Sequence, residues 1–231
     1  MKDLYYKAYD ERYKKVHEKN ISWTKDNNSE IVEKMLNKYG ISKDSNILEI
    51  GCGEGRDARY LLSKGYNVIA SDVSEEAIRY CIEKDKNNIN NYIVLDVLEN
   101  NHKIKYDFIY SIACIHMLVL DVDRKKYYDF IKSHLNKNGY ALILSMGDGI
   151  KESKSNISDA YKEVKRTHGE TKEEMLLPAT SCRIVNMNNF IEEVSNSGLK
   201  VLESGITSII PEFNEMLYVL AKKETLWVKK N

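Results

Sequence analysis

The stretch Asn46-Ile-Leu-Glu-Ile-Gly-Cys-Gly-Glu-Gly-Arg-Asp57 constrains the fold more than any other part of the chain. Ile47, Leu48 and Ile50 form an apolar run of strand length, and Gly51, Gly53 and Gly55 follow directly. Beyond them Ala58, Leu61 and Leu62 share one face of a helix over Arg56–Lys64, which Gly65 closes. Glycine at the turn lets the backbone bend sharply and lets a ligand approach its N–H groups, because no Cβ intervenes. The start of the helix adds a positive partial charge at the same place. The unit predicts a nucleotide-type cofactor cradle.

The spacing narrows the cofactor. A dinucleotide fingerprint reads G-x-G-x-x-G with apolar residues up to the first glycine. Here the pattern is G-x-G-x-G, and an acid, Glu49, stands two residues before Gly51. A carboxylate there is ill suited to a pyrophosphate and suits a cationic amine. The next strand, Asn67–Ser71, ends at Asp72, seventeen residues after Gly55, where an acid can take both ribose hydroxyls. Asp72 also stands just before Ser74-Glu-Glu76, so it equally suits the N-terminal acid of a helix.

Glu49-Ile-Gly-Cys-Gly-Glu-Gly55 followed by Ala70-Ser-Asp-Val73 resembles the class I S-adenosylmethionine-dependent methyltransferases. The resemblance runs in order from about Ser29 to Lys222. It takes in Asn91–Asp96 as a third strand, Tyr106–Ile112 as a fourth, Ala113–Met117 as the segment under the methyl donor, and Asn136–Ser145 as a fifth strand. It implies a Rossmann-like α/β three-layer sandwich with a seven-stranded, mostly parallel sheet, ordered 3-2-1-4-5-7-6 with the last strand antiparallel. It also implies S-adenosylmethionine as cofactor and S-adenosylhomocysteine as product. By the same resemblance Glu49 serves the methionine amine, and Gly51, Cys52, Gly53 and Gly55 form the turn beside it. Asp72 takes the ribose, Val73 packs on the adenine, and Asp96 and Val97 hold the adenine edge. Ser111 and Ile112 complete the rim, and Arg56 and Trp23 are further candidates for cofactor contact.

Composition fits one soluble α/β domain over residues 1–231. The chain is 42% hydrophobic and 30% charged, and its 35 basic residues balance 35 acidic ones. No basic surplus favours nucleic acid, and no apolar run suits a membrane span or a signal peptide. The expected setting is the cytoplasm, as a monomer or homodimer acting on a small molecule. Cys52, Cys81, Cys114 and Cys182 lie far apart without a C-x-x-C pair, so no metal site is expected. Cys52 and Cys81 read as buried packing residues.

Two attachments flank the alternating core. Residues 1–28 carry Tyr5, Tyr9, Tyr13 and Val16 on one helical face, followed by a loop around Trp23. The stripe suits core packing or an aromatic wall over the cofactor, with Tyr13 a candidate substrate contact. Residues 147–185 form an inserted cover, with an amphipathic helix over Ile157–Thr167 and an extended arm over Met175–Val185. Helices are expected at Ser29–Gly40, Ser74–Asp85, Asp123–Lys137 and Asn188–Ser197, with a closing hairpin from Leu199–Ile210 and Glu215–Ala221. A polar tail, Lys222–Asn231, follows.

His116, directly after the fourth strand, is the candidate catalytic base or else a wall of the acceptor pocket. Arg183, among apolar residues of the arm, either binds an anionic group or pins the arm by an ion pair. His102 and His134 read as solvated, while His17 and His168 lie in the two attachments, at the surface or else within reach of the pocket. The chemistry expected is in-line methyl transfer to a thiol, hydroxyl or amine of a small molecule. Transfer to RNA or protein, and non-catalytic cofactor binding, are the alternatives.

Overall fold

The computed structural model describes residues 4–25, 27–99, 102–169, 171–211 and 213–223. The chain enters through a 3-10 turn, Tyr5–Lys7, and helix α1 (Ala8–His17), then helix α2 (Glu30–Lys38). The core follows as β1 (Ile47–Ile50), α3 (Arg56–Ser63), β2 (Val68–Asp72), α4 (Glu75–Lys84), β3 (Tyr92–Val94) and β4 (Tyr106–Ser111). After a 3-10 turn at Ile115–Met117 come α5 (Asp121–His134) and β5 (Leu135–Met146). Four short strands succeed it: β6 (Ser153–Lys154), β7 (Glu163–Thr167), β8 (Glu174–Pro178) and β9 (Arg183–Ile184). Helix α6 (Met187–Asn196) and strands β10 (Leu199–Thr207) and β11 (Met216–Lys223) complete the described chain. The tail beyond Lys223 lies outside it.

Seven strands form one sheet in the order β3-β2-β1-β4-β5-β11-β10. The pairs around β1 are parallel, and β11 runs antiparallel to both β5 and β10. With β10 and β11 as the sixth and seventh strands, this is the expected order. Successive strand residues feed opposite cores, as the pleat requires. Ile47, Phe108, Leu142 and Leu220 pack under α2 and α3 with Leu36 and Leu61. Leu48, Ile109, Ile143 and Val219 pack under α5 and α6 with Ile131 and Phe190. All four β1 residues are buried, so Glu49 is a carboxylate in a strand covered on both faces.

Two elements differ from the sequence reading. Ile157–Thr167 is not a helix: a 3-10 turn spans Ile157–Asp159, and β7 pairs antiparallel with β8. The cause lies outside the segment, since Met175 and Leu177 of β8 pack against Val16 of α1 and the hairpin carries them there. Helix α5 ends at His134, three residues before the expected Lys137, because the chain must join β4 at Tyr106↔Leu135. Gly139 therefore lies within β5, where a Cβ would stand 3.0 Å from the Tyr106 carbonyl.

His134 and His168 are buried, and His102 is half-buried. His134 is buried, with Nδ1 2.8 Å from the Phe130 carbonyl and Nε2 2.9 Å from the His102 carbonyl. His102 Nε2 lies 2.6 Å from the Tyr106 hydroxyl. His168 is buried where the β7–β8 hairpin turns, and its Nδ1 accepts from the Thr171 amide. Its Nε2 is thereby left to donate to the Ser22 carbonyl at 2.9 Å. The hairpin is tied to the N-terminal segment at that point.

Arg124 is the buried cross-brace of the α5–α6 face. It is 2% exposed, donates from Nε and Nη2 to the Glu193 carboxylate, and caps the Ile115 and Leu118 carbonyls at 2.9 and 3.2 Å. Arg124→Ala is expected to destabilise the fold by ~3 kcal/mol, because it removes the bidentate partner of the Glu193 carboxylate and a buried donor to two carbonyls. A denaturant melt within ~1 kcal/mol of wild type would contradict that role.

Candidate functional site

A cavity of about 220 Å³ opens beyond the carboxyl ends of β1, β2 and β4, the ligand position in an open α/β sheet. The glycine turn lines it with Glu49, Gly51, Cys52, Gly53, Arg56 and Asp57. Asp72 and Val73 follow from the end of β2, and Leu95, Asp96, Val97 and Leu98 from the segment after β3. Ile112, Ala113, Cys114, Met117 and Leu118 form the floor after β4, with Tyr127 beside them. Tyr6, Tyr9, Tyr13, Trp23 and Thr24 close it from the N-terminal segment, and Phe213 from the final loop.

The turn differs from an anion cradle. Gly51 and Cys52 donate their amides to the Ser71 carbonyl at 2.8 and 2.9 Å, Gly53 donates to Asp72 Oδ2 at 2.9 Å, and Gly55 to the Cys52 carbonyl at 2.9 Å. These N–H groups are used within the protein. The glycines serve close approach instead: Gly51 and Gly53 have φ of +72° and +53°, and a Cβ there would meet Cys114 Sγ at 2.8 Å and the Tyr13 hydroxyl at 2.6 Å. Ala113 has φ +53°, a left-handed strain of ~1 kcal/mol that turns the floor toward the glycines.

The carboxylates have distinct environments. Glu49 is 3% exposed and accepts from the Tyr110 hydroxyl at 3.0 Å. Burial, reinforced by the charge of Asp57, pushes its carboxyl up to about 8. Burial also raises Asp72, although the amides of Ser74 and Gly53 donate to it. Asp96 accepts from the Tyr6 hydroxyl, Lys7 Nζ and the Leu98 amide at 3.0, 3.0 and 3.1 Å. Asp57 accepts from the Ser29 amide and hydroxyl and from Arg56 Nη2, which fixes Arg56 on the cavity wall.

Of the residues singled out in the sequence, Glu49, Gly51, Cys52, Gly53, Arg56, Asp72, Val73, Asp96, Val97, Ile112, Trp23 and Tyr13 line this one cavity. Gly55 instead starts α3 from a left-handed conformation, and Ser111 is buried beneath the floor, accepting from the Tyr127 hydroxyl at 2.7 Å. His116 is not on the cavity wall. It is 4% exposed, its Nδ1 is buried without a partner, and burial beside Arg124 lowers it to about 4. Arg183 is also off the wall: it pairs with Asp121, donates to the Val119 carbonyl at 3.1 Å, and lies 3.5 Å from Glu193. Its arm is pinned by an ion pair. Cys114 lies on the floor, but burial pushes its thiol up to about 12, which disfavours the thiolate.

Sequence reasoning missed Glu54. The residue is fully buried inside the glycine motif, and its carboxylate accepts from Ser22 Oγ, the Trp23 amide, and the Thr24 amide and hydroxyl at 2.6, 2.7, 2.8 and 2.7 Å. His17 Nε2 lies 2.9 Å from the same carboxylate. The one signal for it was an acid between two glycines, which the motif alone does not explain.

The family model "Tellurite resistance protein TehB" matches residues 14–174, well over half of the chain. The chain belongs to the TehB family. It is 36% identical over 104 residues to a probable S-adenosyl-L-methionine-dependent methyltransferase TehB of Haemophilus influenzae, an alignment covering 43% of this chain and 35% of that protein. It is 40% identical over 86 residues to an uncharacterised methyltransferase of Schizosaccharomyces pombe, covering 36% of this chain and 58% of the other. The chain thus spans only part of the curated relatives it matches.

Among solved structures, the fold is similar to a Burkholderia thailandensis 1,6-didemethyltoxoflavin-N1-methyltransferase, with TM-score 0.68, 16% identity, and 92% and 85% of the two chains covered. It is also similar to a TehB-like SAM-dependent methyltransferase from Corynebacterium glutamicum, with TM-score 0.58, 17% identity, and 95% and 98% covered. Family and fold together are those of the class I S-adenosylmethionine-dependent methyltransferases. No helix among the described residues is long and apolar enough to cross a membrane, and no cluster of three or more His, Cys, Asp or Glu there forms a metal site.

Glu54 supplies a test of the site's assembly. Burial opposes its charge, but His17, Ser22, Trp23 and Thr24 hold the carboxyl down to about 2. A lowered carboxyl pKa stabilises the fold above the unfolded value of ~4.3 and loses that contribution as pH falls toward 2. Glu54→Gln should therefore cost ~2–3 kcal/mol at pH 6, and the gap to wild type should shrink steadily below pH 4.5. A gap independent of pH would contradict the assignment.

Proposed function

We propose that the protein is an S-adenosylmethionine-dependent methyltransferase acting on a small molecule. The observation that carries this reading is the placement of Glu49 and Asp72 across one glycine turn in one aromatic-walled cavity. The fit to the donor is chemical. Glu49 is a buried carboxyl that suits a cationic partner, Asp72 presents its acid at the end of β2, and the positive-φ glycines let Cys114 and Tyr13 close on the turn where a Cβ would stand. The donor supplies an activated methyl group on a sulfonium.

The residues divide the work by position. Glu49 binds the amino group, and Arg56, oriented by Asp57, binds the carboxylate of the methionine moiety. Asp72 takes the ribose hydroxyls, Val73 packs on the adenine face, and Asp96 with Val97 holds its edge. Tyr9, Tyr13 and Trp23 form the cover, excluding water and offering π faces to the sulfonium. Catalysis by such a site is alignment and dryness for in-line displacement. No imidazole lines the cavity among the described residues, and the Cys114 thiol is pushed up. The acceptor that suits it brings its own lone pair at neutral pH, as a thiol or an amine does more readily than a hydroxyl. Incubating the protein with radiolabelled donor and fractionated metabolites, RNA and protein tests the acceptor class; label confined to macromolecules would overturn the small-molecule reading.

Donor affinity should pass through a maximum near pH 8. Below about 8 Glu49 is protonated in the free protein, so binding the ammonium must expel that proton, and affinity rises with pH. Above ~8 the donor's own amine loses its proton and affinity falls. Calorimetry with Glu49→Gln should show the acidic limb flattened. Asp72→Asn should weaken binding by ~1–3 kcal/mol at every pH, and unchanged affinity would remove Asp72 from the site.

A further inference from the structure

His17 lies outside the cavity wall, yet it contacts carboxylates through both ring nitrogens. Nε2 is 2.9 Å from Glu54 Oε1 and Nδ1 is 2.6 Å from Glu76 Oε1. Its side chain is 5% exposed, Glu54 is fully buried and Glu76 is 10% exposed. A neutral imidazole has one donor and one lone pair, so it can satisfy only one of these carboxylates. The cation satisfies both. We propose that His17, as an imidazolium, is a positioning residue: a clasp that holds α1 and the Ser22–Thr24 strap against the glycine turn and α4, and so sets the aromatic cover over the donor.

The surroundings support the charged form. The ring stacks on Tyr80 of α4 at 4.3 Å and on Tyr13 of α1 at 5.7 Å, both uncharged faces that favour a cation. Arg79 of α4 also holds Glu76, with Nε and Nη2 at 2.8 and 2.5 Å, and this keeps Glu76 ionised. Asp10 of α1 accepts from the Glu76 amide and is paired with Lys14 at 2.7 Å. Burial disfavours the His17 cation, but Glu54 and Glu76 outweigh it and the ring titrates above its ordinary value.

The consequence for the cover follows from who can let go. When His17 loses its proton Glu54 keeps four other donors from the strap and Glu76 keeps Arg79, but one carboxylate then faces the ring's lone pair; where that is Glu76, the link between α1 and α4 is the one lost. The α1–α4 contact loses its His17 link and loosens onto the Asp10 bonds to the Ser74 hydroxyl and Glu76 amide, and α1 carries Tyr9 and Tyr13 of the cavity wall. A group whose folded pKa is raised stabilises the closed cover below its unfolded pKa of ~6.5, and that contribution is lost as pH rises through the folded value.

This inference rests on the donor reading, so the test separates the two. The neutral nucleoside 5′-methylthioadenosine lacks the methionine α-amine, which keeps that ammonium and its partner Glu49 out of the binding step. With the full chain its Kd should rise about tenfold or more from pH 6.5 to 9.5. Glu76→Gln offers a side-chain amide that donates to neutral Nδ1, so its Kd should stay within about threefold of the wild-type pH 6.5 value across the range. His17→Gln should bind about tenfold more weakly at pH 6.5. The same samples, labelled at histidine Cε1, give the His17 titration by NMR directly; a midpoint above 6.5 that rises further with S-adenosylhomocysteine supports the clasp. A His17 midpoint at or below 6.5, or identical pH profiles for wild type and Glu76→Gln, overturns it. Binding of neither ligand in any form would instead overturn the donor reading, with the NMR midpoint still deciding the clasp.

Discussion

The Glu54 carboxylate is the point on which the site's architecture turns. An ionised group with no solvent exposure is costly, and the protein offsets that cost with donors drawn from the strap and from α1. Those donors come from residues thirty or more positions away. The acid therefore converts a local turn into an anchor for the N-terminal segment. Tyr9, Tyr13 and Trp23 reach the cavity because Glu54 holds the backbone that carries them. His168 reinforces the same strap from the hairpin side by its bond to the Ser22 carbonyl.

With its amides already bonded to Ser71, Asp72 and Cys52, the glycine turn has little positive character to offer a phosphate. Its electrostatics are set by carboxyl groups: Glu49, Asp57 and Asp72 all border the cavity, and burial raises Glu49 and Asp72. Burial holds these carboxyls toward their neutral forms, and a cationic ligand favours their ionisation. The same acids disfavour a dinucleotide. The left-handed Ala113 and the positive-φ glycines keep this space narrow and shaped through the backbone itself, a form of preorganisation.

Polar order elsewhere is concentrated where segments meet. Arg124 joins α5, α6 and the Ile115–Met117 turn, while Arg183 joins β9 to Asp121 and Glu193. Both arginines are committed to positioning the floor of the cavity and the arm beside it. Neither is left to greet a substrate. This explains how an arginine in an apolar stretch, which suggests an anion receptor in the sequence, becomes a brace in the fold.

The sequence by itself determined the glycine turn and the acids at the strand ends, because each is written in local spacing: apolar runs of strand length, glycines where a Cβ has no room, and Glu49 and Asp72 in register with them; the sheet order followed from the family resemblance those motifs carry. Tertiary structure alone decided what depends on contacts between distant segments. Ile157–Thr167 carries a helical apolar pattern yet spans a turn and a strand, because Met175 and Leu177 of the paired strand must reach Val16. His116 stands in the expected place along the chain but turns into the core, where burial keeps it neutral. His17, Glu54 and Glu76 are ordinary polar residues in three separate stretches. Only packing α1 against the glycine turn and α4 brings one ring between two carboxylates, and no local pattern records that distance.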